Sequence, residues 1–349
     1  MIQDKFFFPK WKRKSINRYC KIYSIASYVP EKSISNEEII SKYNLAFKSP
    51  VIIKSVGVES RHIADNSLKD SDVLYLSSKE CLERYDFVPD NLSRIFVNKY
   101  MGDNILPMTA SKLKVKLGNK KAIQAFDIDG GISSFLISFD LISRYINSGD
   151  DYILLASGGI TNRMISKTDP RVAFLFGDAS ASILFGHSEN QHILASYFYS
   201  NYQFYELSTA ISPLTLVEMG VKSFKNGEGS ILFDTYKMEN WKLAENFYKE
   251  ATRVISNNLL EESGLTLKDI DMVLVTENNR KIWEMTLDTL GFSEDKSISL
   301  LRKHGNTMSA MLPLQMDFGF RTGRILPGMN IMLISHGEGL SGGGIIYKV

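Results

Sequence analysis

The chain has 349 residues, enough for two compact halves or one large domain, and its 44% hydrophobic and 23% charged content is ordinary for a globular protein. A formal net charge of +2 produces no strong field, so nucleic acid is not expected as a partner. Two cysteines, Cys20 and Cys81, are too few for a disulfide framework, and no Cys/His cluster has metal-ligand spacing, which favours a reduced cytoplasmic setting without a metal.

Residues 1–15 are predicted to form an N-terminal extension in which Phe6–Phe8 precede a basic stretch. This apolar run is far shorter than the core of a signal peptide. No later segment approaches the ~18 consecutive apolar residues of a membrane-spanning helix. We expect a solvated extension, with weak contact at a membrane surface as the alternative.

Residues 16–199 form the first predicted half, in which helices alternate with apolar strands. The helix at 132–147 has apolar residues on several sides, which predicts a central position in a large core. The predicted elements in chain order are helix Ser71–Tyr85, strands Arg94–Val97 and Ala122–Ile128, helix Ile132–Asn147, and strands Tyr152–Ser157 and Ala179–Phe185.

Residues 235–349 form the second predicted half and repeat the same order of elements roughly 175 residues later, as an internal duplication requires. Residues 200–234 interrupt the pattern and are predicted to be an insertion or connection. The second series is helix Trp241–Glu262, strands Met272–Val275 and Ser297–Leu301, helix Met308–Phe320, and strands Asn330–Ser335 and Gly343–Tyr347.

This alternation indicates an α/β protein with mixed, largely parallel sheets that are covered by helices on both faces. Two such sheets with the apolar helix between them predict five layers, α-β-α-β-α. The string Gly337–Gly342 matches a dinucleotide-binding pattern formally, but a strand follows it instead of a helix, so no such cofactor is expected.

Several strings, in order along nearly the whole chain, resemble the β-ketoacyl synthase III branch of the thiolase superfamily. They are Ala26–Glu31 with Ser35–Glu38, Gly57–Ala64, Ala125–Ile128, Leu175–Asp178, Lys303–Thr307 and Gly337–Ser341. The resemblance implies a thiolase fold with duplicated halves. It also implies acyl transfer from acyl-CoA or acyl carrier protein through a cysteine at the start of the central helix.

The resemblance implies three catalytic residues, a Cys, a His and an Asn, of which this chain keeps one. The cysteine position, counted from the Ala-Phe-Asp strand, is Ile132, and the histidine position after strand Met272–Val275 is Thr276. The asparagine of the Gly-Asn-Thr string is retained as Asn306. Because isoleucine cannot attack a thioester, ordinary condensation is not expected.

The positions at which the family binds CoA hold other residues in this chain. By position, its Trp and Arg correspond to Val51 and Ser55, and a further Arg corresponds to Pro170, with Arg171 as a neighbouring substitute. The resemblance therefore implies weakened handling of CoA.

Other groups near the implied site are candidates for altered chemistry. Ser133 is a candidate relocated nucleophile, but a one-residue step on a helix turns a side chain by about 100°. His336 and Glu338 are a candidate acid/base pair, with the alternative that they satisfy one another or solvent. Glu277 and Asn278 follow Thr276, and the backbone N–H groups of Ile132 and Gly339 are the implied oxyanion hole.

Three functions remain open at this stage. The first is a non-condensing partner subunit, similar to a chain-length factor, in fatty acid, polyketide or related secondary-metabolite synthesis. It would form a heterodimer with a cysteine-bearing synthase, or else a homodimer, and meet acyl carrier protein or acyl-CoA. The second is an acyltransferase or decarboxylase that needs no nucleophile, and the third is an acyl-ligand-binding scaffold.

Overall fold

The computed structural model describes residues 6–9, 18–100, 102–129, 131–163, 165–201, 205, 209–210, 233–234 and 241–349. Most of the predicted segment 200–234 and most of the predicted extension 1–15 therefore lie outside the described residues. No side chain is described for Arg171 or for the short strands at 209–210 and 233–234.

The first sheet is built from strands of the first half. They are β1 (Cys20–Tyr28), β4 (Arg94–Asn98), β5 (Gln124–Ile128), β6 (Tyr152–Gly159) and β7 (Ala179–His187), in the order β1-β7-β6-β4-β5. β4 is parallel to β5 and β6, whereas β7 is antiparallel to β6 and β1. Within the described residues β5 has a neighbour on one side only, which makes it an edge strand.

The second sheet has the order β11-β12-β13-β8. Its strands are β8 (Ile193–Tyr199), β11 (Met272–Val275), β12 (Asn330–His336) and β13 (Gly342–Lys348). β8 falls inside the predicted first half, 16–199, yet it pairs antiparallel with β13. Two small sheets pair β2 (Ser33–Ser35) with β3 (Ser60–His62) and β9 (Thr209–Ala210) with β10 (Phe233–Asp234).

The prediction of largely parallel sheets is wrong, because antiparallel pairs are as prominent as parallel ones. β12 pairs antiparallel with β13, for example, across residues 337–341. A five-residue turn is too short for a parallel crossover, which needs about a dozen residues or more.

Ten α-helices lie in the described ranges, together with short 3₁₀ turns. They are α1 (Asn36–Tyr43), α2 (Ser49–Val56), α3 (Asp70–Glu83), α4 (Thr109–Lys116), α5 (Ser134–Asn147), α6 (Pro170–Ala173), α7 (Trp241–Ser263), α8 (Arg280–Leu290), α9 (Leu301–His304) and α10 (Met311–Arg321). None of the helices that the structure describes is long and apolar enough to cross a bilayer.

The five predicted layers are confirmed by the apolar clusters. Phe135 and Phe139 of α5 and Leu312 of α10 share one buried cluster with strand residues of both sheets, so these helices form the middle layer. A second cluster covers the other face of the first sheet with α3 and α4, and a third covers the other face of the second sheet with α7 and α8.

Buried ion pairs connect the layers. Arg18, 2% exposed, lies against Asp140 of α5 and Glu262 of α7, with shortest separations of 3.4 and 3.1 Å. Asp317 of α10, 1% exposed, accepts a 2.7 Å hydrogen bond from Arg84 after α3. Helices that are distant in sequence are thereby joined by charge as well as by apolar contact.

The prediction of a strand at Ser297–Leu301 is wrong. This segment runs without strand structure into α9. The buried Glu277 carboxylate accepts hydrogen bonds from the N–H groups of Leu300 and Leu301, at 2.7 and 3.1 Å. Those two peptide groups are therefore used by a side chain instead of a neighbouring strand.

The described part of the N-terminal extension packs on the second half through Phe6 and Phe8, whereas Phe7 is 56% exposed. The ring of Phe6 meets Phe247 of α7 edge-on at 5.2 Å, and the ring of Phe8 lies 5.0 Å from Tyr199. The Tyr197 hydroxyl donates a 3.0 Å hydrogen bond to the carbonyl of Pro9. Residues 6–9 thus cover the outer face of the second half.

Candidate functional site

The implied site lies where the first turn of the central helix meets three loops of the second half. Residues 131–133 form a 3₁₀ turn directly before α5. Residues 305–308 precede α10, Thr276 follows β11, and residues 337–341 join β12 to β13. The sequence order of the duplication brings these segments to one place, since each follows a buried strand or precedes a middle-layer helix.

Ile132 is buried, with 6% of its surface exposed. It belongs to an apolar cluster that includes Leu175, Phe176, Met308 and Met311. The head of the central helix therefore carries a hydrocarbon side chain that is fully used in packing, in a position where backbone N–H groups favour negative charge.

Thr276 is buried, and its hydroxyl is committed to the backbone. Its Oγ1 accepts a 3.0 Å hydrogen bond from the N–H of His336, and its own N–H donates to the carbonyl of Ile334 at 3.0 Å. Thr276 therefore joins the ends of β11 and β12. It has no group that titrates near neutrality.

Asn306 is 3% exposed and is held on several sides. Its Oδ1 accepts a 2.8 Å hydrogen bond from the N–H of Met308, a residue with a positive φ of 55°. Its backbone N–H donates to the carbonyl of Leu175, and its carbonyl accepts from Gly177. The loop thus fixes the orientation of the one retained family residue.

Glu277 is a structural residue of the site wall. Besides the two N–H groups of Leu300 and Leu301, its carboxylate accepts hydrogen bonds from the Ser299 hydroxyl and from the Gln315 amide. Burial raises the pKa of Glu277, and these four donors act in the opposite direction. Asn278 donates to the carbonyl of His336 at 2.8 Å.

The predicted acid/base pair of His336 and Glu338 is not formed. His336 points into the outer layer, where its Nε2 lies 3.3 Å from the Thr252 hydroxyl and 3.1 Å from the Thr286 hydroxyl. Both hydroxyls donate to helix carbonyls, so they accept from an Nε2–H. Burial lowers the pKa of His336 to about 4.

Glu338 points the other way, towards the central helix. Its Oε2 accepts a 3.3 Å hydrogen bond from the N–H of Ile132. The carboxylate lies so close to Gly131 that a Cβ there would be 2.1 Å from Oε2, and Gly131 itself has a φ of +58°. Burial raises the pKa of Glu338, and the Asp129 carboxylate raises it further.

The other half of the implied oxyanion hole is Gly339, which has a φ of +59° and lies in the 3₁₀ turn Glu338–Leu340. The turn is closed by the N–H of Ser341, which donates to the Glu338 carbonyl at 3.1 Å. This turn holds Glu338 over the first turn of the central helix, so one of the two implied oxyanion donors faces a carboxylate.

The candidate relocated nucleophile, Ser133, has no base beside it among the described residues, and the thiol of Cys81 is not activated either. The Ser133 hydroxyl lies 2.9 Å from the Ser335 hydroxyl, and Ser133 also lines a cavity of about 690 Å³ under residues 7–9. Cys81 is buried on α3, and burial raises the pKa of its thiol to about 12. A thiol with a raised pKa is a poor nucleophile near neutrality.

Comparison with known proteins agrees with this architecture. The family profile described as 3-oxoacyl-[acyl-carrier-protein] synthase III matches residues 126–201, and the profile of its C-terminal part matches residues 260–349. The β-ketoacyl-[acyl-carrier-protein] synthase III of Coxiella burnetii is 27% identical over 333 residues, which covers 95% of this chain and 99% of the relative.

Two solved structures show the same fold. The 3-oxoacyl-(acyl carrier protein) synthase III of Pseudomonas aeruginosa has a TM-score of 0.82 at 21% identity, covering 95% of this chain and 98% of that one. The priming β-ketosynthase of the R1128 polyketide pathway has a TM-score of 0.83 at 21% identity, covering 96% and 98%. The chain therefore has the fold of these synthases and resembles the synthase III proteins in sequence along nearly its whole length.

The implied CoA-binding positions of this synthase III-like chain offer few groups for a nucleotide. Val51 is 60% exposed, and the Ser55 hydroxyl donates to the carbonyl of Ile52 in its own helix. Pro170 is exposed, while the side chain of Arg171 lies outside the described part of the chain.

Sequence reasoning did not single out Tyr100, Asp129 or Lys167. Burial raises the pKa of Tyr100, and the carboxyl groups of Glu338 and Asp129 raise it further. Lys167 donates to the carbonyl of Asn162, and burial lowers its pKa to about 8. The only available signal for Asp129 was its position in the strand-to-helix turn before Ile132.

Proposed function

We propose that the chain is a non-condensing partner subunit of a cysteine-bearing synthase, in fatty acid, polyketide or related biosynthesis. The observation that carries this proposal is Ile132, which is buried in an apolar cluster at the family's nucleophile position. Condensation through an acyl-enzyme needs a nucleophile there, and its removal costs on the order of a millionfold in comparable enzymes.

The surroundings of Ile132 support the same proposal. The Thr276 hydroxyl already accepts a backbone hydrogen bond, and Glu338 places a carboxyl group where a developing oxyanion would need donors. The Ile132 N–H is thereby occupied by a carboxyl oxygen and is not free to stabilise the oxyanion that acyl transfer requires.

A surface suited to a partner of the same fold lies on the first half. β5 leaves one side of its backbone without a strand neighbour in the described part of the chain. Nearby, the loop that follows β4 exposes 92% of Ile105 and 75% of Leu106. A sheet edge beside exposed apolar side chains favours association, and thiolase-fold proteins pair through this sheet and help to shape the neighbouring acyl site.

The alternative of nucleophile-independent acyl transfer or decarboxylation is less well supported. It would need Asn306 and the Ile132 N–H to polarise one carbonyl together. The Ile132 N–H already donates to Glu338, so the carbonyl would depend on the Nδ2–H group of Asn306, which the Met308 contact at Oδ1 orients. A partner subunit needs neither group to be available.

Co-expression with a cysteine-bearing synthase III from the same genome tests the proposal. We expect the two chains to co-purify as a heterodimer and the chain-length distribution of the synthase's products to differ from that of the synthase alone. Homodimers only, together with an unchanged product distribution, would reject the proposal. Turnover of malonyl thioesters by the pure chain, abolished in N306A, would favour the alternative instead.

A further inference from the structure

The side chain of Glu338 lies at the implied oxyanion hole, where the carbonyl oxygen of a thioester would bind. The Ile132 N–H at the head of α5 points at Oε2 of Glu338, 3.3 Å away. These residues are separated by 206 positions in sequence, so the contact depends on the assembly of both halves.

The fit between the carboxyl group and the helix head is close. A Cβ on Gly131 would lie 2.1 Å from Oε2, 2.7 Å from Cδ and 3.1 Å from Oε1 of Glu338. The carboxyl group therefore lies directly on the backbone of Gly131, and no room remains for a ligand carbonyl between them.

The position of Glu338 is fixed by its turn. Its carbonyl accepts from the Ser341 hydroxyl at 2.8 Å as well as from the Ser341 N–H. Leu340, which follows in the same turn, is completely buried and has a φ of +52°, a conformation that costs energy for a residue with a side chain. Packing therefore holds the turn, and Glu338 with it, against the central helix.

From this geometry we infer that Glu338 is a specificity-determining residue that excludes acyl thioesters from the chain's own site. An acyl thioester would have to displace a carboxyl group from the Ile132 N–H before its carbonyl oxygen could bind there. The inference rests on the proposed function and adds that the chain would influence an active partner through its surface and not through a filled acyl site of its own.

Binding of a small thioester tests this inference. The probe is S-octanoyl-N-acetylcysteamine with a ¹³C-labelled carbonyl. It has no nucleotide part, so its binding does not depend on the CoA-binding positions. The readout is the chemical shift of the carbonyl ¹³C during titration. E338A should bind roughly tenfold more tightly than the wild-type chain, since one hydrogen-bond donor is released. E338Q should bind as poorly as the wild type, because its amide oxygen can still accept from Ile132.

The exposed Glu189 provides the matched control, since E189A removes a carboxylate of the β7–β8 connection and should leave binding unchanged. The Ile132 amide resonance provides a second readout, and we expect it to move in E338A while thermal melting confirms a folded protein. Equal probe affinity of wild type and E338A, or an Ile132 resonance that E338A does not move, would overturn the inference. Neither result bears on heterodimer formation, which co-expression tests separately.

Discussion

At the scale of single residues, the side chains at the start of the central helix do not match what the backbone there favours. This place offers backbone donors to a negative charge, yet it holds the hydrocarbon of Ile132 and the acidic group of Glu338. In the proposed function, a packed hydrocarbon and a carboxyl group lie where acyl transfer would need a nucleophile and a free oxyanion donor. Asn306, which the resemblance implies as the retained family residue, is held in its loop by the Met308 N–H.

Incubation with acyl-CoA should therefore leave no covalent adduct on Ile132 or Ser133. Isoleucine has no nucleophilic atom, and the Ser133 hydroxyl has another hydroxyl, that of Ser335, as its neighbour instead of a base. Intact-mass spectrometry checks this, with a cysteine-bearing synthase III as the positive control. An acyl mass increase mapped to Ser133 would contradict the prediction.

His336 should make the folded state sensitive to mild acid. Its folded pKa of about 4 lies below the unfolded value of about 6.5, so its neutral form stabilises the fold above pH 6.5, and this contribution is lost as the pH falls towards 4. We expect a loss of about 2 kcal/mol between pH 7.5 and pH 5.

Urea unfolding at both pH values measures this loss, and H336F is the comparison variant because phenylalanine keeps the ring without the titrating nitrogens. The pH dependence of H336F should be smaller than that of the wild type by this amount. Identical pH dependence in the two proteins would show that His336 is not the group responsible.

At the scale of secondary-structure elements, the sequence predicts a strand best where its alternation is visible. Met332 and Ile334 of β12 pack in the outer cluster, whereas Ile331 and Leu333 pack in the middle one. The same period of two places His336 outside and Ser335 inside. Extending this alternation by one residue would have shown that His336 faces away from Ile132.

The position of Glu338 could not be read in this way. It lies beyond the strand, in a turn whose course depends on the positive φ values of Gly339 and Leu340. The contact with Ile132 also joins the two halves, and nothing local in either segment encodes it. Similarly, no strand forms at 297–301, because the N–H groups of Leu300 and Leu301 donate to the carboxylate of Glu277, which is distant in sequence.

We expect the ion pairs of Arg18 with α5 and α7 to contribute strongly to the stability of the fold. R18A would leave Glu262 and, in part, Asp140 without a buried countercharge, and we expect it to lower the free energy of unfolding by about 3 kcal/mol. R144A removes a second, 41% exposed partner of Asp140 and should cost less than about 1 kcal/mol. Chemical denaturation of both variants measures the difference, and equal costs would contradict the assigned role of Arg18.

At the scale of the whole molecule, the chain keeps the fold of the synthases at low sequence identity. The chain aligns with 99% of the length of a β-ketoacyl synthase III relative at only 27% identity. Fold identity can be predicted from the sequence because the core pattern covers the whole chain, whereas function depends on a few positions. In the proposed function, Ile132 and Thr276 occupy two of them.

The exposed loop after β4 should decide association. L106D places a charge on a side chain that is 75% exposed in the single chain, so it should leave the fold intact and weaken dimers, with a monomer peak in size-exclusion chromatography. V88D alters a 58% exposed residue before β4 and is the matched control. Equal elution of L106D and wild type, both as dimers, would place the interface elsewhere.

The docking of residues 6–9 on α7 has a consequence for biosynthesis. The aromatic rings of this segment leave the ribosome long before their partner Phe247 is translated. At about 5–20 residues per second, the delay amounts to tens of seconds. Throughout that interval the aromatic side chains of this segment lack their contact surface on α7 and remain exposed on the nascent chain.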